Sequence, residues 1–341
     1  MSVPVAWFDA WLDLQRRGLC TWQTWRPREE PRPRWATEGR GEALRDSVHL
    51  RRYGAEDGPA ALIVTPQVNH SYIADFAEDQ SLVRTLLSAG VARVGVTDWR
   101  PPPQRPYGIA DSLDDILACL DALGSPVHLV GLCQGGWQSA MVAALHPARV
   151  ASLTVAAAPI DAWAGRTLLH AYSLGLPLAF FRGVVALGEG NAPGRMLSQG
   201  FDLLRPFERF VEHPAALFWQ ADDPDFVGRF AALRNWYRLH KDIAGELYIE
   251  VVRDLFQQNR LHRGSFEVRG RVVRLGDITC PVCLVAGSRD HITPPEQVWA
   301  LEQHLRPGQA RRWLVDAGHI GVFAGRRALQ EAWPGVVGAW G

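Results

Sequence analysis

The stretch VHLVGLCQGGWQSA, residues 127–140, carries three signals in fourteen positions: an apolar run, a glycine-flanked turn and the start of a helix. Gly131, Cys133 and Gly135 fill the pattern G-x-nucleophile-x-G, and Gly136 adds a second glycine. That pattern is the nucleophile elbow, a strained strand-to-helix turn that lifts one side chain above the edge of a sheet. Glycine is needed on both sides because the turn brings strand and helix backbones too close for side chains. The following helix N-terminus favours negative charge, which suits a thiolate at Cys133. A buried cysteine in a plain glycine turn is the bland alternative, but the elbow's required context of strand before and helix after is present.

Working outward, apolar β-rich runs recur at 60–67 (AALIVTPQ), 92–99 (ARVGVTDW), 127–133 and 150–159, then much later at 281–290 and 311–319. Helical patterns lie between the early ones. DFAEDQSLVRTLLSAG (75–90) has Leu82, Val83, Leu86 and Leu87 in helical spacing, and IADSLDDILACLDALG (109–124) has Leu113, Ile116, Leu117 and Leu120; each ends on glycine. Strands that are apolar throughout, alternating with helices, indicate a mostly parallel, doubly wound α/β sheet covered on both faces. The rhythm lapses over 161–275, an aromatic-rich and mainly helical stretch that reads as a cap or lid inserted over the carboxyl edge of the sheet, where ligands bind in such folds. The expected organisation is therefore an N-terminal helix and Pro/Arg-rich linker (1–45), a core (46–160 with 276–341) and the cap (161–275). In the N-terminal stretch Trp7, Phe8, Trp11, Leu12 and Leu14 lie near one helical face, suited to packing on the body or to docking a partner or an apolar granule surface.

A thiol nucleophile needs a base and a group that orients the base. In elbow folds the chain order is nucleophile, acid, histidine, each on a loop after a strand. LVAGSRDHITPP puts Asp290 directly after one strand, and WLVDAGHIGVF puts His319 directly after the last. Asp161 in APIDAW also follows a strand and is a rival acid; His70 and His291 fall near the site but not after the last strand. Expected oxyanion donors are the backbone N–H of Gln134 and one from the loop TPQVNHSY, at Val68 or Asn69.

The remaining composition excludes more than it assigns. The chain has 341 residues, 47% hydrophobic and 21% charged, with 36 basic and 36 acidic residues. Zero net charge gives no reason to expect a nucleic-acid partner. Lys241 alone among the basic residues is not arginine, as codon bias in a GC-rich genome would produce. Five cysteines form no disulfide framework, and the CxxC of Cys280 and Cys283 opens a strand, so core thiols are expected there rather than a metal or redox pair. No cofactor or metal is implied. No leader peptide is recognisable, and the most apolar segment, 171–188, is interrupted by Pro177 and Arg182, so a cytoplasmic protein without a membrane span is expected.

The box GLCQGG (131–136) resembles the G-x-C-x-G-G box of polyhydroxyalkanoate synthases, α/β-hydrolase-fold enzymes that polymerise 3-hydroxyacyl-CoA through a cysteine thioester. NHSYIADF followed by SLVRTLLSAG, then TDWRPP, DHITP and GHIGVF extend the resemblance from about residue 66 to the C-terminus. It implies Cys133 as the acyl-carrying nucleophile, His319 as general base, and Asp290 supporting His319 or activating the incoming hydroxyl. The chain lacks the long N-terminal domain of the larger synthases and is closer to the short, two-component kind. Those need a second subunit; a second copy of this chain or a polymer-granule surface are the other partners implied. VTDW, APID, the stretch GELYIEVVRDLFQQNRLHRGSFEVRG and GHIGVFAGRRA are also similar to intracellular polyhydroxyalkanoate depolymerases, whose nucleophile turn lacks the double glycine.

Chemistry leans one way. A thiolate exchanges readily with a CoA thioester because attacking and leaving sulfurs are similarly basic. Alkoxide is the poorer leaving group, so oxygen esters suit a thiol less. The expectation is an acyltransferase that polymerises (R)-3-hydroxyacyl-CoA, CoA entering only as part of the substrate. A depolymerase or thioesterase with the same triad, and a non-catalytic granule scaffold, stand as alternatives.

Overall fold

The computed structural model describes residues 3–26 and 34–341. It divides into two compact units: Met1–Arg32 with Gly194–His240, and Pro33–Pro193 with Lys241–Gly341.

The larger unit is built on an eight-stranded sheet. In chain order its strands are β1 (Arg40–Ala43), β2 (Val48–Gly54), β3 (Ala60–Val64), β4 (Arg93–Trp99), β5 (Val127–Leu132), β6 (Val150–Ala156), β7 (Val282–Gly287) and β8 (Ala310–Val315). Their spatial order is β1-β2-β4-β3-β5-β6-β7-β8. The first two pairs in that order are antiparallel and the remaining five are parallel. This is the α/β-hydrolase arrangement. Strands β3 and β7 are buried along their whole length, as expected of apolar runs covered by helices on both faces. Strands β1 and β2 precede the first apolar run and form the antiparallel edge. Val48 and Leu50 are buried against the half-buried His49 and Arg51, the alternation one covered face produces, while Tyr53 is buried out of that phase.

Register decides where the loops meet. Val64 at the end of β3 lies opposite Gly131 of β5, and Leu132 lies opposite Ala156 of β6. Gly287 ends β7 opposite Val315 of β8. The loops after β3, β5, β6, β7 and β8 therefore all leave from one edge of the sheet.

The helix expected over 75–90 starts later, at Leu82, and runs to Ser88. Two local bonds explain the late start. Ser81 caps the helix by accepting from the Arg84 N–H at 3.0 Å, and the Ser81 hydroxyl donates to Asp75 Oδ1 at 2.6 Å. The second expected helix forms over Ile109–Leu123 and ends at Gly124, whose φ of 77° suits glycine. The helix after the elbow, Gln134–Leu145, is buried on every side from Gly135 to Ala144, packed against β5 and β6.

The smaller unit joins the N-terminal helix, Val3–Trp25, to the segment 194–240. Arg17 pairs with Asp222 and donates to the Trp219 carbonyl at 3.0 Å. Arg234 donates to the Trp25 carbonyl at 2.8 Å while its guanidinium lies 3.6 Å from the Trp25 ring. The stretch expected as one cap, 161–275, is thus shared: 194–240 goes with the N-terminal helix, and its flanks go with the sheet-bearing unit. Trp11, Leu12 and Leu14 are exposed. The side chains of Trp7 and Phe8, and linker residues 27–33, lie outside the described residues. No single described helix is long and apolar enough to cross a membrane. Only a pair bent by 95°, Leu168–Gly175 with Leu178–Leu187, reaches that apolarity together.

Candidate active site

Cys133 stands between β5 and the following helix with φ 51° and ψ −116°. That is left-handed backbone in a residue with a Cβ, a conformation costing about 1–3 kcal/mol and kept only where the surroundings impose it. The surroundings are visible. The Cys133 N–H donates to the Ala156 carbonyl and the Gly136 N–H to the Cys133 carbonyl, each at 2.9 Å. A Cβ on Gly131 would sit 2.4 Å from the Gly135 carbonyl oxygen, one on Gly135 2.0 Å from that of Val64, and one on Gly136 2.3 Å from the Ala158 methyl. All three glycines of the quoted stretch are therefore required by close approach. Cys133 itself is partly exposed.

Asp290 and His319 are brought together from the loops after β7 and β8. Asp290 Oδ2 lies 2.8 Å from His319 Nδ1, with both side chains almost wholly buried. Asp290 Oδ1 accepts the N–H groups of Ile292 at 2.9 Å and Thr293 at 3.0 Å, which fixes the carboxylate. Burial works against charge on Asp290, but the imidazole of His319 and these backbone bonds outweigh it and lower its pKa. Burial also opposes charge on His319. Asp290, the sulfur of Cys133 and hydrogen bonds to both overcome it and raise His319 well above its ordinary value. Since Nδ1 faces Asp290, Nε2 is the nitrogen left for Cys133.

Thr293 carries no sequence signal beyond its place in DHITP. Its hydroxyl donates to the Ala157 carbonyl at 2.9 Å and lies 2.9 Å from Asp290 Oδ2 and 3.1 Å from His319 Nδ1. It links Asp290 and His319 to Ala157, which follows β6 with φ 49°.

The rival residues lie in other constellations. Asp161 accepts from Asn259 Nδ2 at 2.7 Å and from the Trp163 N–H at 2.9 Å, and it faces His262 at 3.5 Å. His70 packs beside Tyr72, and burial together with Lys241 pushes its pKa down to about 4, which leaves it uncharged at neutral pH. His291 is half-buried next to Asp290.

Gln134 opens its helix, so its N–H has no partner within the helix. The loop after β3 is held close to it. The Gln67 N–H donates to Gln134 Oε1, and Gln134 Nε2 donates to Gln67 Oε1, both at 2.9 Å. The next residue, Val68, gives its carbonyl to the Lys241 N–H at 3.0 Å, while Lys241 Nζ donates to the Trp99 carbonyl. Asn69 is buried, its Oδ1 accepting from the His70 N–H at 2.9 Å.

Cys280 and Cys283 are both buried, and burial raises them to about 11 and about 12. Among the described residues no three His, Cys, Asp or Glu side chains are grouped to hold a metal ion.

A family model described as a protein of unknown function (DUF3141) matches residues 119–306, which includes the elbow and Asp290. The poly(3-hydroxyalkanoate) polymerase subunit PhaC of Allochromatium vinosum is 32% identical over 311 residues, covering 86% of this chain and 85% of that one. The chain belongs to the poly(3-hydroxyalkanoate) polymerase family. The PhaC subunit of Thiocystis violacea is 30% identical over 314 residues with the same coverage of both chains, 86% and 85%. Among solved structures, a hydrolase from Pseudomonas aeruginosa PA01 superposes with a TM-score of 0.55 at 21% identity, covering 89% of this chain and 98% of that one. That likeness concerns the α/β-hydrolase fold. As a member of the polymerase family the chain is an enzyme of the acyltransferase/hydrolase kind.

Proposed function

We propose that this polymerase-family enzyme builds polyester from (R)-3-hydroxyacyl-CoA by acyl transfer through Cys133. The observation that carries the proposal is a strained cysteine at the elbow whose sulfur favours the charged form of His319, a histidine itself held 2.8 Å from a buried carboxylate. In the first half-reaction the Cys133 thiolate attacks the thioester carbonyl of the substrate. The C–S bond to CoA then breaks, and the departing CoA thiolate takes the proton from His319. In the second, the hydroxyl of a growing chain loses its proton to His319 and attacks the Cys133 thioester, forming an ester bond and releasing the Cys133 thiolate. Asp290 holds the imidazole with Nε2 towards sulfur and stabilises its charged form. The N–H groups of Gln134 and Val68 are the proposed donors to the tetrahedral oxyanion. No cofactor or metal has a part in this scheme.

A second subunit belongs to the proposal, since the relatives from Allochromatium and Thiocystis are named as subunits. The exposed Trp11, Leu12 and Leu14 of the N-terminal helix offer it, or a granule surface, an apolar face.

Purified protein given 3-hydroxybutyryl-CoA tests the reading. Release of CoA with labelled acyl groups retained on Cys133 is expected. Release of free 3-hydroxy acid from amorphous polymer, with no turnover of the CoA thioester, establishes a depolymerase instead.

A further inference from the structure

The reciprocal pair of Gln67 and Gln134 ends a longer buried chain. Gln134 Nε2 donates to Gln67 Oε1 at 2.9 Å, Gln67 Nε2 donates to the Tyr107 hydroxyl at 3.1 Å, and that hydroxyl donates to Asp115 Oδ2 at 2.7 Å. The Ser47 hydroxyl donates to the same Oδ2 at 2.5 Å. Gln138 joins from the side, its Nε2 lying 3.4 Å from Gln67 Oε1 and 3.0 Å from the Ser112 hydroxyl. Gln67, Gln138 and Asp115 are buried, as is Tyr107.

Direction is the informative property of this chain. Asp115 Oδ2 accepts from both the Ser47 and the Tyr107 hydroxyls, and these two bonds oppose the burial that raises the Asp115 pKa. Ending on Asp115 commits the Tyr107 proton to the carboxylate, so the Tyr107 oxygen is free to accept from Gln67 Nε2. The Gln67 amide is thereby oriented with Oε1 towards Gln134. The Gln134 amide follows, with Nε2 towards Gln67 Oε1 and Oε1 towards the Gln67 N–H. Neither amide can flip without setting donor against donor inside a buried network, where a mismatch is expensive.

What the chain fixes is a distance between two backbones. Gln67 lies immediately before Val68, and Gln134 immediately after Cys133. With its own N–H committed to Gln134, Gln67 is not a donor to substrate; it ties the donor-bearing loop to the elbow. Oxyanion stabilisation depends on donors already placed where the charge develops, so a tie of this kind acts on the transition state more than on the bound substrate. We infer that Gln67, oriented through Tyr107 by Asp115, is a positioning residue that sets the spacing of the two oxyanion-hole segments. The inference rests on the proposed acyl transfer at Cys133.

Two reactions of the same sulfur separate this role from simple support of the fold. Acylation by 3-hydroxybutyryl-CoA passes through a tetrahedral oxyanion, whereas alkylation by iodoacetamide is a direct displacement with none. In Gln67→Leu, acylation of Cys133 is expected to fall about 10- to 100-fold, less than or near the loss of a whole oxyanion donor. KM and the rate of alkylation should stay within about twofold of wild type. Tyr107→Phe, which removes the orienting hydroxyl and leaves the ring, should move acylation in the same sense by a smaller factor, and it carries the test if Gln67→Leu does not fold. Acylation and alkylation falling together, or neither falling, overturns the inference. Wild-type protein that is alkylated at Cys133 but never acylated overturns the functional reading and the inference with it. Wild type and both variants acylating equally fast overturns the inference alone.

Discussion

Gly135 approaches the carbonyl of Val64 so closely that a Cβ there would sit 2.0 Å from the oxygen. The contact joins the first turn of the helix after Cys133 to the end of β3, so the geometry of the elbow and the start of the loop that carries Gln67 and Val68 are one packing problem. Both partners are backbone and neither has a rotamer to change.

The contact makes Gly135→Ala a severe substitution. A single methyl must displace a strand end in the middle of the sheet, and a loss of about 3 kcal/mol or outright failure to fold is expected. Gly183→Ala is the control. Gly183 lies inside the helix Leu178–Leu187 with nothing within 4 Å of an added Cβ, and gaining about 0.5–1 kcal/mol of helix propensity should leave it neutral or stabilised. Urea unfolding of the two variants beside wild type checks the contrast; equal effects contradict it.

Thr293→Val tests the link between the acid–base pair and the strand behind it. The substitution keeps the Thr293 N–H bond to Asp290 Oδ1 and removes the hydroxyl from Asp290, His319 and the Ala157 carbonyl. An unsatisfied buried carbonyl should lower stability by about 1–3 kcal/mol. CoA release should fall about tenfold through loosened placement of the ring, a loss in the range known for small misplacements of catalytic groups. Thr293→Ser should restore most of both. Denaturant melts and CoA release are the measurements, and a valine variant with wild-type turnover would show that the hydroxyl plays no part in positioning.

The order in which this site can be read from the chain follows from how local each signal is. Cys133 and its glycines are legible because one turn contains the whole constraint: strand, close approach and helix start are consecutive. Asp290 and His319 are legible because each directly follows an apolar strand. The helix over 75–90 is misjudged at its start because Asp75 is held by Ser81 and by Thr37, a partner distant in the chain, which apolar spacing does not register. Gln67 and Tyr107 carry no local signal of their connection, since 40 residues separate them and each follows a different one of the paired strands β3 and β4. Strand β1, RGEA, is exposed throughout and β2 mixes apolar with charged residues, so neither carries the continuous apolar run of a buried parallel strand. The division of 161–275 between two units depends on Arg234 and Trp25, which are 209 residues apart.

The pairing of Asp290 with His319 should make stability depend on pH with a maximum in the middle. His319 is raised in the folded state, so its contribution is complete below the ordinary histidine value and is lost as pH rises through the raised one. Asp290 is lowered, so its contribution is present above the ordinary aspartate value and is lost as pH falls through the lowered one. The difference in Tm between wild type and Asp290→Asn should therefore be widest between about pH 4 and 6.5 and shrink on both sides. Thermal melts across that range provide the check. A difference that grows steadily towards alkaline pH contradicts the pairing.

Cys133→Ser bears most directly on why this elbow holds sulfur. Part of what raises His319 is the neighbouring sulfur, through charge and a hydrogen bond. A serine hydroxyl is not ionised at neutral pH, so in the variant that support disappears and the His319 pKa should move down. The serine must also be deprotonated during attack, and because Asp290 still favours the protonated imidazole, less of His319 is in the neutral form that can take that proton. Transfer from a CoA thioester should fall by at least about 100-fold, the lower end of what a positioned proton transfer supplies. CoA release measures the first effect, and the imidazole NMR shifts of His319 followed through pH measure the second. A serine variant with unchanged His319 titration and near-wild-type CoA release would show that the thiolate and the imidazolium are not a pair.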